Sequence, residues 1–389
     1  MIKLFKLILF FFLYPFKKII TPKNLIILSS NEPNRYAGGP KFLFEYLSKK
    51  KLSCYWWTNN KKIKQYLKKN QNKYFSIYNP IHFLKIVFTA KIVINSGDDH
   101  FDFCNLLRQD KRVKKICTGH GVGPKLINKK KTHPLAINFD YISYSSKYSA
   151  KFIGEKQFKI NKNKIIILGN PKNDLFFDKK KIKKLHHNKK ISKFYFKKIN
   201  INSKIIFYAP TWRPYTSNLP ILNLQNFNLK EFNFFLKKNN LFFFYNNHIL
   251  SNNHILIDTD RIKFVSIETY SLFDTNEMLC EADIFCTDCS TLSTEAAILK
   301  KPQILIFPDY KKFNKLEGFV EPFQKIIPGN SIYNFKDFLN SINSYKNKQN
   351  YIKKFNKKID KYLDHYYDVN INNSLLKHQK FINKIMAIK

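Results

Sequence analysis

Apolar positions along this chain fall in short runs separated by polar stretches with helical spacing, the alternation an open α/β fold requires. NLIILSS (24–30) reads as a buried strand, followed by a Gly38-Gly39-Pro40 turn and a helix from Lys41 to Lys50. SCYWWT (53–58) is the next strand, and Asn59 is placed to cap a helix running to about Lys69. KIVINSG from Lys91, KKICTGHG from Lys114, YISYSS from Tyr141 and KIIILGNP from Lys164 supply further strands. The pattern restarts at KIIFYAPTWR (204–213), with strands expected at 241–245, 261–267, 283–287 and 303–307. Helices are expected near 229–238, 272–280 and 291–299, and the polar, Lys-rich stretch from Asn334 to Lys389 reads as mostly helical. The prediction is an α/β chain of two Rossmann-like domains, 21–178 and 201–340, facing a central cleft. A Lys-rich linker (179–200) joins them, and a helical C-terminal tail (341–389) follows. The linker holds KKKIKKLHHNKK, in which His186 and His187 read as solvated residues.

Composition changes this picture in one respect. The 389 residues carry 69 Lys and Arg against 27 Asp and Glu, a formal charge of +42. With 44% hydrophobic residues the chain has ample core formers, which excludes a disordered protein. The positive charge is almost all lysine, the only arginines being Arg35, Arg108, Arg112, Arg213 and Arg261. Selection for base or phosphate contacts enriches arginine for its bidentate fork, so no nucleic-acid partner is expected. The abundance of Lys, Asn, Ile and Phe with only 10 Gly reads as the mark of an AT-rich genome for most of this charge, leaving a residual basic face that suits an anionic membrane surface. Residues 1–20, MIKLFKLILFFFLYPFKKII, hold an uncharged run from Leu7 to Phe16, which at 10 residues is too short to span a bilayer. Its flanking lysines suit an interfacial segment, and the expected location is peripheral, on the cytoplasmic face of the cell membrane. Cysteines at 54, 104, 117, 280, 286 and 289 lack the dense spacing of a disulfide scaffold, and the single CxxC, Cys286 to Cys289, has no second ligand pair for zinc. No metal and no cofactor is expected.

Four strand ends carry candidate chemistry. In Cys117-Thr-Gly-His-Gly-Val-Gly-Pro-Lys125 glycines surround His120, whose imidazole titrates near neutrality and suits a general base, while backbone N–H groups such as that of Gly121 can approach phosphate oxygens. Thr287-Asp-Cys-Ser-Thr291 leads into a helix, so Ser290 is placed as its cap and Ser290 and Thr291 can add donors at an anion site; Glu295 lies one turn on. Arg213, in Tyr208-Ala-Pro-Thr-Trp-Arg213, is a stronger candidate cation than any one lysine. His248, after Asn246-Asn247, can donate to a phosphate oxygen or assist the leaving group.

The ordered set GHGVGPK, LGNPKND (168–174), YAPTWR, NNHIL, TDCSTLSTEAAILKKPQI and LEGF (316–319), with YAGGPKFLFEYL upstream, resembles the CDP-glycerol glycerophosphotransferase family of teichoic-acid-type polymerases and primases. The resemblance implies a GT-B fold and transfer of a polyol phosphate from a CDP-polyol donor to a hydroxyl of a glycan or lipid-linked acceptor, with release of CMP. By motif position it implies His120 as catalytic base and Pro210, Thr211, His248, Ser290 and Thr291 as donor contacts, with Lys172 and Glu295 beside them. The sequence departs from the family pattern at Gly119, Val122-Gly123, Lys172, Asn246-Asn247 and Glu295. Two of these departures replace arginines, which bears on the donor more than on the reaction class. A nucleotide-sugar glycosyltransferase of the same fold, and a basic nucleic-acid-binding protein, are the competing readings.

Overall fold

Strands that are apolar without interruption, such as LFFFY (241–245) and IIL (26–28), must be buried on both faces, and a parallel sheet covered by helices on either side provides this. The computed structural model describes residues 19–30, 35–97, 110–119, 121, 123–126, 134–216, 218–246, 256–368 and 372–387, and contains two such sheets. His120, His248 and the segment Met1–Lys18 lie outside the described residues.

The first sheet comprises β1 (Ile26–Leu28), β2 (Cys54–Trp57), β3 (Tyr74–Phe75), β4 (Ile92–Asn95), β5 (Lys114–Cys117), β6 (Tyr141–Ser143) and β7 (Ile165–Ile166). Their order is β3-β2-β1-β4-β5-β6-β7, and every pairing is parallel. The second comprises β8 (Lys204–Tyr208), β9 (Leu241–Tyr245), β10 (Ile262–Phe264), β11 (Ile284–Thr287), β12 (Gln303–Ile306) and β13 (Ser331–Ile332), ordered β10-β9-β8-β11-β12-β13 and again parallel. Chain direction across each sheet reverses once, between β1 and β4 and between β8 and β11. Such switch points open a crevice beyond the carboxyl ends of the strands.

Local chemistry sets the helix starts. Asn60, not Asn59, caps the helix Lys61–Lys69, its Oδ1 accepting from the N–H groups of Lys62 and Ile63. Asn59 is drawn away because its own Oδ1 accepts from Ile77 N. The Lys-rich stretch folds as two helices, Lys179–Asn188 and Lys190–Tyr195. The buried carboxylate of Glu281 accepts from Ile191 N and Ser192 N at 2.9 Å, tying the second of them to the second half. His186 sits 3.3 Å from Asp283 Oδ1 with its side chain 40% exposed, and His187 is exposed.

The tail is part of both cores. Helix Lys348–Tyr366 buries Tyr351, Phe355, Ile359, Tyr362 and Tyr366, a stripe at helical spacing, in a core that contains Ile206 and Ile304. Helix Ser374–Ala387 crosses back and packs Ile382 and Ile385 against Ile26, Leu28 and Leu43 of the first half. Asp174 accepts from the N–H groups of Ser374 and Leu375, satisfying donors that the start of that helix leaves open. A second tie joins the halves near β1. Gly38 N donates to Asp274 Oδ2 at 2.8 Å, and the buried Lys41 ammonium meets Glu277 at 2.6 Å.

Candidate active site

The carboxyl ends of β5, β8 and β11 converge where the two halves meet. After β5 the chain runs through Thr118 and Gly119 to the loop that carries His120. Asn170, from the LGNPKND segment, donates from Nδ2 to Gly119 O at 3.1 Å and so anchors the start of this loop on the first half. Gly121 then reaches the second half at closest approach. It adopts φ +148°, and a Cβ there would lie 2.7 Å from Thr291 Oγ1. Only glycine fits that contact, so the loop glycine and Thr291, read separately from the sequence, form one interface.

Thr291 leads into the helix Leu292–Ile298. The N-cap position falls on Thr291, whose hydroxyl makes no capping bond, and not on Ser290 as the sequence suggests; Ser290 Oγ still accepts from Leu292 N at 3.3 Å. Glu295 on this helix is buried and pairs with Lys172 Nζ at 2.7 Å, so an acid and a base from opposite halves neutralise each other. Glu295 Oε2 and Asn173 Oδ1 are buried and accept no hydrogen bond among the described residues. Both residues line a cavity of about 20 Å³ together with Gly119, Gly121, Asn170 and Tyr366. That is room for one water-sized group, the scale of a hydroxyl rather than of a nucleotide.

At the β8–β11 switch point Thr211 is held by Asp288. Its N–H donates to Oδ1 and Oδ2 at 3.0 and 3.1 Å and its hydroxyl to Oδ1 at 2.6 Å. Pro210, which has no N–H to give, is buried at the strand's end. Arg213 has partners other than the phosphate its rarity suggests. Its Nη1 donates to Asp288 Oδ2 at 2.6 Å and to Thr211 O at 2.9 Å, and its Nε and Nη2 form a fork on Asp309 at 2.7 and 3.0 Å. The guanidinium also lies over the rings of Phe313 and Phe307. Burial works against its charge, yet the field of Asp288 and Asp309 prevails and holds it firmly protonated. Burial alone would raise the carboxyl of Asp309. The Arg213 bonds and charge, with the Tyr215 hydroxyl at 2.5 Å, bring it below the usual carboxylate range. Arg213 therefore ties the segment after β8 to Asp288 and Asp309.

Sequence reasoning missed Asp288, Asp309, Asn170 and Asn173. Asp288 and Asn170 stand inside motifs already singled out, and a buried arginine at a strand end is the signal that a carboxylate must answer it. Asp309 lies far from Arg213 in the chain and gave no such signal. The thiols of Cys286 and Cys289 are buried, which pushes both well above the ordinary thiol range and keeps them protonated. Among the described residues no group of three or more His, Cys, Asp or Glu is placed to hold a metal, and no helix is long and apolar enough to cross a membrane.

Comparison with known proteins agrees with this architecture. A teichoic acid glycerol-phosphate primase of Bacillus subtilis is 31% identical over 305 residues, covering 74% of this chain and 74% of its own. A teichoic acid glycerol-phosphate transferase of Staphylococcus aureus is 25% identical over 340 residues, covering 80% and 81%. The solved structure of the wall teichoic acid polymerase TagF superposes with a TM-score of 0.72 at 19% identity, over 94% of this chain and 90% of that one, which establishes the GT-B-type fold. Residues 10–377 match the profile of the family described as CDP-Glycerol:Poly(glycerophosphate) glycerophosphotransferase, and the chain belongs to that family of transferases.

Proposed function

We propose that this enzyme moves glycerol phosphate, or a related polyol phosphate, from a CDP-activated donor to a hydroxyl of a cell-surface glycan or lipid-linked acceptor. The observation that carries the reading is the contact of Gly121 with Thr291 beside the Lys172–Glu295 pair, which apposes the His120 loop to the candidate donor side. The acceptor oxygen bonds to the donor's β-phosphorus while the bond from that phosphorus to the bridging oxygen breaks, and CMP leaves with the electron pair. The acceptor proton passes to His120, and His248 assists the leaving group. Ser290 and Thr291 supply donors to the phosphates, with Lys172 as the nearby cation and the N–H of Gly121 on the loop side. Pro210 and Thr211 contact the donor, with Thr211 held in place by Asp288. Glu295 keeps one carboxylate oxygen for a polyol hydroxyl.

His120→Ala tests this assignment: turnover should fall by about 10²- to 10⁴-fold with CMP affinity nearly unchanged. Turnover near that of the wild type would remove His120 from the mechanism. The enzyme works at an anionic membrane surface, held by the apolar, lysine-flanked segment Met1–Lys18 and the basic surface, and requires no nucleic acid.

A further inference from the structure

The sequence singles out LEGF (316–319), yet none of the roles above uses it. In the structure it meets the distal end of the His120 loop. Lys125 and Phe319 form an antiparallel bridge, Leu126 N donates to Gly318 O at 3.1 Å, and Val320 N donates to Pro124 O at 2.8 Å. The Lys125 ammonium lies 3.2 Å from Glu317 Oε2 and 5.3 Å from the centre of the Phe313 ring. This short pairing crosses from one half of the protein to the other, and Gly318 turns it at φ +78°, a conformation other residues enter only with strain.

The latch has a rigid base. Phe319 stacks on Phe323 with ring centres 4.7 Å apart and on Tyr310 at 5.9 Å. The same aromatic cluster holds Phe307 and Phe313, whose rings lie beneath the guanidinium of Arg213. LEGF is thus continuous with the packing that fixes the ends of β8 and β11. The loop is anchored to the first half by Asn170 at Gly119, touches the second half at Gly121, and is tied to the second half again at Pro124–Leu126.

We infer that LEGF is a positioning latch for the catalytic base: the Lys125–Glu317 pair and the Phe319 bridge register the segment Pro124–Leu126, which follows His120 in the chain, against the donor side. The inference rests on His120 being the base. Small displacements of reacting groups are costly, so loosening the latch lowers turnover without touching the nucleotide site.

Lys125→Glu, which sets two carboxylates against each other, should lower kcat about tenfold while the Kd for CMP stays within about twofold. Adding Glu317→Lys reverses the pair and should return kcat to within about threefold of the wild type. In the His120→Ala background, Lys125→Glu should have almost no further effect, because a latch that acts through the base has nothing left to position. If Lys125→Glu does not fold, as read by its thermal midpoint, Lys125→Met enters the same cycle with the same expectation for the His120→Ala background. Loss of CMP affinity, failure of the reversed pair to restore turnover, or multiplicative effects with His120→Ala would each overturn the latch. A His120→Ala protein that alone remains active would overturn the base assignment instead, which separates the two failures.

Discussion

Arg213→Met separates a donor-binding arginine from one that holds the strand ends. The substitution removes four hydrogen bonds, two to the fork on Asp309, one to Asp288 and one to Thr211 O. It keeps much of the apolar contact with Phe307 and Phe313. Asp288, fully buried, is left with the N–H groups of Thr211 and Cys289 and the Thr211 hydroxyl as donors. Asp309, whose side chain is 17% exposed, is partly reached by water and keeps Tyr215. Removing the cation from a buried ion pair costs about 3–5 kcal/mol, and the remaining donors argue for the lower end. At about 2–4 °C per kcal/mol for a domain of this size, a cost near 3 kcal/mol should lower the thermal midpoint by about 6–12 °C. Arg213→Lys should fall between, since an ammonium cannot reproduce the fork. The assay is thermal unfolding by circular dichroism, with calorimetric titration of CMP on the same proteins well below the midpoint. A variant within about 1 kcal/mol of wild-type stability that no longer binds CMP would return Arg213 to the donor phosphate.

Gly121→Ala should lower kcat by about tenfold or more, because the new Cβ meets Thr291 at 2.7 Å; unchanged turnover would mean the loop does not approach Thr291 during the reaction. Asp274 is buried, which by itself raises its pKa, but Lys41, the Gly38 N–H and Arg35 together hold it below the usual carboxylate range. A carboxyl lowered in the folded state gives stability that is present above about pH 4 and lost as pH falls through the folded value. Urea unfolding midpoints should therefore drop more between pH 5 and pH 3 for the wild type than for Asp274→Asn, and equal drops would exclude this contribution. Deleting Met1–Lys18 should release the protein from anionic liposomes while CMP release on a soluble acceptor analogue continues; undiminished sedimentation with vesicles would place the membrane contact elsewhere.

Legibility from the sequence followed the physics of each element. The central strands are runs such as KIIFY and IFCT that no helix periodicity explains, and all of them were visible. The edge strands Tyr74–Phe75 and Ser331–Ile332 have two residues each, too short for any period to register. The tail's apolar stripe announces a buried face, but not that Ser374–Ala387 returns to the first sheet, because amphipathicity carries no address. The site residues were legible one motif at a time. What could not be read was pairing: Lys172 with Glu295, Arg213 with Asp309 and Lys125 with Glu317 join positions far apart in the chain, the first and last across the two halves and the second across the ends of strands within the second sheet. Two of these pairs give candidate phosphate ligands, Lys172 and Arg213, a carboxylate partner that their own motifs do not show.

The measurement that bears most directly on the central claim is the identity of the nucleotide released. The full-length protein is incubated with a lipid-linked or soluble hydroxyl acceptor and, in separate reactions, CDP-glycerol, other CDP-polyols and UDP-sugars, and the products are resolved by mass. CMP should be released in step with the mass of a polyol phosphate added to the acceptor, and both should be lost in His120→Ala. Release of UDP with a sugar added to the acceptor, and no CMP from any CDP-polyol, would contradict that claim.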